Sequence, residues 1–154
     1  MVRRVFISTA YEDVNQARGF KLLPWNPNVK AEFVTRDLLS PVDSQNPDYI
    51  KANIRERLNG TSTTAVLIGQ TTHKSDWVRW EVEESRMRGN GIVGIKLKGQ
   101  DDAPIPSVLK EVGAKVMDWD AQKISDEIEK AALIAGRPDL GPAPSRSVSS
   151  GSCG

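Results

Sequence analysis

The chain has 154 residues, enough for one domain with a real core and too few for two ordinary ones. Its 21 basic and 20 acidic residues nearly cancel, so there is no broad field of the kind that draws nucleic acid or an anionic membrane. No apolar run approaches the ~20 residues of a membrane helix, and the N-terminus lacks a signal-peptide core, so a cytoplasmic protein is expected.

The elements follow in chain order. Val5-Phe6-Ile7-Ser8 reads as a short apolar strand. Tyr11 to Leu23 reads as a helix with Glu12 and Asp13 early and Pro24 ending it. Ala31 to Thr35 alternates and is rich in β-formers, giving a second strand. Asp37 to Pro47 holds two prolines and no periodicity, so it is a loop, long for its place and a candidate lid. Asp48 to Gly60 has Ile50, Ile54 and Leu58 at spacing four, with Asp48 as the expected cap. Thr64 to Gly69 is a third, fully apolar strand. A helix follows in which Ser75 is the expected N-cap and Gly89-Asn90 the stop. Ile92 to Leu97 is the fourth strand. A short helix at Ser107–Lys110, a weak fifth strand at Lys115–Trp119 and a last helix from Ala121 to Ala135 complete the order.

Alternating strands and helices, with strands too apolar to face water, imply a parallel sheet covered on both sides. Right-handed crossovers then give an α/β doubly wound sandwich of three layers, with five strands in the order 2-1-3-4-5. The domain is expected to span 1–136. Residues 137–154 form a Pro/Gly/Ser-rich tail that cannot bury enough surface to order itself.

In this order the sheet changes direction between strands one and three, and ligands bind beyond the carboxyl ends of the strands at such a point. The flanking segments are Ser8–Asp13 and Gly69–Trp77. Several occupants of the architecture are excluded by residues. No G-x-x-x-x-G-K-[ST] or G-x-G-x-x-G follows a strand, and strand three ends Leu67-Ile68-Gly69 without the Asp of a phosphoacceptor. One loop histidine, His73, cannot assemble a Ser-His-acid set, and one cysteine, Cys153, can form neither an internal disulfide nor a zinc site. On the helix after strand three, Trp77, Glu81 and Glu84 recur at i, i+4 and i+7, which puts an indole and two carboxylates on one face. That arrangement suits a flat ring and a developing positive charge; the alternative is a packed tryptophan beside solvated acids. Trp25 and Trp80 read as packing aromatics, and Arg3, Arg4, Arg55 and Arg57 as solvated charges.

Arg4-Val5-Phe6-Ile7-Ser8 with Tyr11-Glu12-Asp13, then Thr64–Gly69, then Trp77-Val78-Arg79-Trp80-Glu81-Val82-Glu83-Glu84-Ser85, then Gly89–Ile95 closely resemble a TIR-like family. It is the branch containing the TIR-like protein of the Thoeris anti-phage defence system, and the likeness covers about residues 3–120. The W-V-x-x-E pattern resembles the catalytic segment of NAD-cleaving TIR domains. The resemblance implies a flavodoxin-like fold and cleavage of NAD between nicotinamide and ribose. It further implies an ADP-ribose-derived, cyclic product that reaches a separate effector protein as a diffusible nucleotide. By the same resemblance Glu81 is the catalytic glutamate, and Trp77, Ser8, Tyr11, Arg36 and Asp37 are the substrate-binding residues. NAD is the substrate, no other cofactor or metal is implied, and self-association is expected. The alternative is a non-catalytic TIR-like interaction module. Departures from many enzymatic TIRs lie in the first loop, Thr9-Ala10-Tyr11, which lacks their Arg pair, and in the Arg36–Pro47 loop. Glu81→Gln is expected to change stability by only about ±0.5 kcal/mol, as for an exposed acid.

Overall fold

The computed structural model describes residues 2–13, 15–16, 30–35 and 46–135. Among the described residues nine strands and helices carry the domain: β1 (Val2–Thr9), β2 (Lys30–Thr35), α1 (Pro47–Leu58), β3 (Thr63–Ile68), α2 (Asp76–Met87), β4 (Gly91–Lys96), α3 (Ser107–Glu111), β5 (Lys115–Met117) and α4 (Ile124–Ile134). A 3-10 turn, Tyr11–Asp13, leaves β1, and another, Thr72–Lys74, leads into α2. The strands form one sheet in the order β2-β1-β3-β4-β5, and every pairing is parallel. This is the flavodoxin-like arrangement that the alternation of elements implies. The Phe6 strand lies between those of Phe33 and Val66, with Phe6 opposite Val34 and Thr64.

Strand alternation sends successive side chains to opposite faces, and the core divides accordingly. Val5, Ile7, Ala65, Leu67, Val93 and Ile95 pack with Ile124 and Ile128 of α4. On the other face Val66 and Ile68 meet Val78 and Val82 of α2 and Val108 and Leu109 of α3, while Phe6 meets Ile50, Ile54 and Leu58 of α1. Gly91 permits the closest approach: a Cβ there would collide with the Ala131 carbonyl of α4.

Most bounds lie within a few residues of expectation. The cap of α1 does not. Asn46, not Asp48, is the N-cap, its side chain accepting from the Asp48 and Tyr49 amides at 3.1 and 3.2 Å, and Pro47 opens the helix. Proline suits that first position because its missing N–H would be unpartnered there anyway. Arg3 is also not solvated. It is 1% exposed, with Nε 3.1 Å from Glu129 Oε1 and Nη1 donating to Ser62 Oγ at 2.9 Å. The pair joins the first strand to the last helix at the amino-terminal edge of the sheet. Most of the helix expected over Tyr11–Leu23, Trp25, the bulk of the Asp37–Pro47 loop and the tail lie outside the described residues.

Candidate active site

β1 and β3 run side by side, Ser8 opposite Val66, and α2 starts above the end of β3 and descends along this face. Ser75 caps α2, its hydroxyl accepting from the Val78 amide at 3.2 Å, as the sequence leads one to expect. One turn further on, Glu81 meets β1. Ser8 Oγ donates to Glu81 Oε1 at 2.5 Å, and the two side chains are 0% and 1% exposed. A short O–H···O bond to a carboxylate is of the charge-assisted kind.

Glu81 is therefore neither a solvated acid nor a half-exposed one, and the small stability change expected for its amide has to be revised upward. The buried stripe of α2 is Val78, Glu81, Val82 and Ser85, the i, i+3, i+4, i+7 set of a core-facing helix. That spacing is visible in the sequence, and it is the signal that grouping Glu81 with Trp77 and Glu84 obscured. Below Glu81 the backbone is fixed as well. Ser85 Oγ lies 2.7 Å from the Glu81 carbonyl and 2.6 Å from Thr64 Oγ1 of β3.

Trp77, one turn before Glu81 on α2, is half-buried and packed against the Phe6 cluster with Trp80. The two indoles meet edge to face, centroids 6.2 Å apart and planes at 79°. Trp80 is gripped in turn by α1, with Lys51 Nζ 5.8 Å and Arg55 Cζ 5.2 Å from its ring centre. Arg55 also pairs with Glu84 at 3.4 Å, so Glu84 serves the α1–α2 contact. Cations over an indole are attracted by its π face, which restrains Trp80 and, through it, the Trp77 ring.

The third component is Asp13, at the end of the turn after β1. Its carboxylate lies over Gly69, the residue that follows β3. A Cβ on Gly69 would overlap Asp13 Oδ2 and come within 2.8 Å of Cγ and Oδ1. Oδ2 is shut off from solvent and has no hydrogen-bond partner. Burial, with Glu12 beside it, pushes the carboxyl above its ordinary 3.8. Gly69 itself is held by the Thr72 hydroxyl, 2.8 Å from its amide, and Glu12 receives the Thr71 hydroxyl at 3.2 Å. The two loops of the switch point are thus laced together, with an unsatisfied carboxylate oxygen between them.

Of the residues named from sequence, the structure brings Ser8 and Glu81 into contact, while Trp77, one turn earlier on α2, packs in the Phe6 cluster. Tyr11 opens the 3-10 turn after β1, but its side chain lies outside the described residues, as do Arg36 and Asp37. His73 is exposed in the turn before α2. Among the described residues no group of three or more His, Cys, Asp or Glu could hold a metal, and no helix is long and apolar enough to cross a membrane. A cavity of about 340 Å³ lies at the opposite, amino-terminal edge, lined by Asn90, Gly91, Lys115 and Ile134. Far from Glu81 and from the switch point, it is not where this fold binds its ligands.

Comparison with known proteins places these features in a family. Residues 6–102 match the profile of the family described as "Thoeris protein ThsB, TIR-like domain". Over 107 residues the chain is 34% identical to a Bacillus cereus (strain MSX-D12) protein named "Putative cyclic ADP-D-ribose synthase ThsB1". That match spans 66% of this chain and 55% of the relative, little more than half its length.

Proposed function

The chain belongs to the family of Thoeris ThsB TIR-like domains, and on that footing we propose that it cleaves NAD and makes an ADP-ribose-derived, cyclic signal in bacterial anti-phage defence. The observation that carries this reading is the Glu81 carboxylate, held by Ser8 near the end of β1, one helical turn after Trp77. The name of the Bacillus cereus relative supports it, since cyclic ADP-ribose is a product expected from NAD.

The chemistry follows from the residues. As the bond between ribose and nicotinamide breaks, its electron pair goes to the pyridinium nitrogen and nicotinamide leaves neutral. Positive charge builds on the ribose, and a carboxylate fixed below that ring stabilises it. No acid is needed to protonate the leaving group, so the paired carboxylates of ordinary glycosidases are not required. Trp77 supplies a stacking surface, and Ser8 holds the Glu81 carboxylate in orientation. The ribose cation is then captured by water, giving ADP-ribose, or by a nucleophile within the same nucleotide, giving a cyclic product; the nucleophile's proton passes to solvent. Glu81 is closed off from water, so substrate binding requires the groups around it to move.

One observation favours a second reading. A carboxylate that is 1% exposed and engaged by a core serine is also what a fold-locking acid in a non-catalytic interaction module would look like. Chromatography of NAD incubated with the purified protein, with and without extract of infected cells as trigger, separates the two. The enzyme releases nicotinamide together with a product lighter than ADP-ribose by one water. If NAD survives both conditions, the interaction module is the better account.

A further inference from the structure

Among the described residues of the switch point, the Asp13 carboxylate is used neither by the fold nor by the chemistry above. Charged groups are seldom buried without partners, because desolvation is costly unless hydrogen bonds replace the lost water. Here Oδ2 is buried and unpartnered, and Gly69 leaves the space that the carboxylate occupies. A helix-start acid needs none of this, since it can reach amides or water. We propose that Asp13 is a ligand-binding carboxylate of the crevice between the ends of β1 and β3, accepting a hydrogen bond from a ribose hydroxyl of the dinucleotide. The inference rests on the NAD reading and specifies one contact within it.

Electrostatics select that part of the ligand. Glu12, next in the turn, is exposed and also acidic, so the pair repels phosphates and favours groups that donate. Ribose hydroxyls are the most numerous donors of a dinucleotide, and a carboxylate at a strand end is a general solution for binding them. Position agrees. Asp13 belongs to the loop that follows Ser8, and it lies over the residue that follows β3, the strand from which α2 and Glu81 descend.

The test is Asp13→Asn in the full chain, followed by melting temperature without ligand, the shift produced by NAD, and steady-state kinetics. The partly buried wild-type carboxylate has one oxygen that is shut off from solvent and without a partner, so the free variant melts at the same temperature or higher. Its KM for NAD rises roughly ten- to a hundred-fold, the worth of one hydrogen bond to a charged group, with kcat changed less. Glu56→Gln, altering an exposed acid on α1, leaves both unchanged. A fall of several degrees in the free variant shows a structural acid and overturns the inference, as does a KM within two-fold of wild type. NAD analogues lacking one ribose hydroxyl at a time give an arm that needs no variant. At least one binds the wild type about ten-fold more weakly, and if all bind like NAD the inference fails. Wild type and Asp13→Asn binding NAD alike refutes this contact and leaves the proposed function standing; wild type ignoring NAD refutes both.

Discussion

The two edges of the sheet both bury charge, and they do it differently. At the amino-terminal edge Arg3 meets Glu129 through two nitrogens, with Nη2 2.5 Å from Oε2, and spends a third on Ser62. That cluster is closed, and such closure is what allows charge inside a protein. At the carboxyl edge the group meeting Glu81 Oε1 is a neutral hydroxyl, and Asp13 Oδ2 meets nothing. The Arg3–Glu129 pair is closed on itself and belongs to the scaffold, whereas at the carboxyl edge the Asp13 carboxylate keeps an oxygen without a partner. The 340 Å³ cavity lies at the amino-terminal edge, whereas a sheet of this order binds its ligands at the carboxyl ends of its strands.

The comparison breaks first if the Arg3 cluster is dispensable. Arg3→Met strands Glu129, whose side chain is 20% exposed, so the expected loss is about 2–4 kcal/mol, somewhat under that of a wholly buried pair. Urea unfolding measures it, and Arg3→Met/Glu129→Leu recovers part of the loss. A change under about 0.5 kcal/mol would mean that the cluster is not structural. NAD turnover by the surviving folded protein stays near wild type.

Ser8→Ala probes the other edge. It removes a hydrogen bond to a buried carboxylate, which costs about 1–3 kcal/mol in the same measurement. Unlike Arg3→Met, it also lowers turnover, since Glu81 loses its orientation. Preserved turnover would separate Ser8 from the chemistry.

Trp77→Leu sharpens the comparison on the binding side. A stacking contact to a base is worth about 1–3 kcal/mol, so KM for NAD rises roughly 5- to 150-fold, and Trp77→Phe recovers part of it. Equal KM values for the leucine and phenylalanine variants would show that the ring is only packing.

The smallest effect belongs to Lys115 and Glu127, 2.9 Å apart near the amino-terminal edge. Lys115 holds the Glu127 carboxyl below its ordinary 4.5. A depressed folded-state value stabilises the protein above the unfolded value and is lost as pH falls through the folded one. Lys115→Met therefore costs about 0.2–1 kcal/mol at neutral pH and nothing once both forms are protonated. A cost that persists at low pH would point to lost packing instead.

Much of the scaffold could be read from residues alone, because its causes are local. Ser75 before an acid and an apolar stripe marks the start of α2, and continuous apolar runs mark parallel strands. The Arg3–Glu129 pair could not be read, since its partners are 126 residues apart and an arginine beside a strand looks like any solvated charge. The burial of Glu81 was legible in the spacing of Val78, Val82 and Ser85, but the Trp77 face drew the eye to a different stripe. Asp13 left no trace, because an orphaned oxygen is defined by what surrounds it in space.

The central claim is that the charge of Glu81, and not its shape, drives cleavage of NAD. Glu81→Gln keeps the size and the acceptor for Ser8 while removing the charge. Nicotinamide release is followed for wild type and variant under the same triggering conditions, with urea unfolding alongside. The account predicts a loss of roughly 10²–10³ in rate. Burial limits the accompanying stability change to about 1–3 kcal/mol, too little to unfold the domain. A variant that releases nicotinamide as fast as wild type would contradict it.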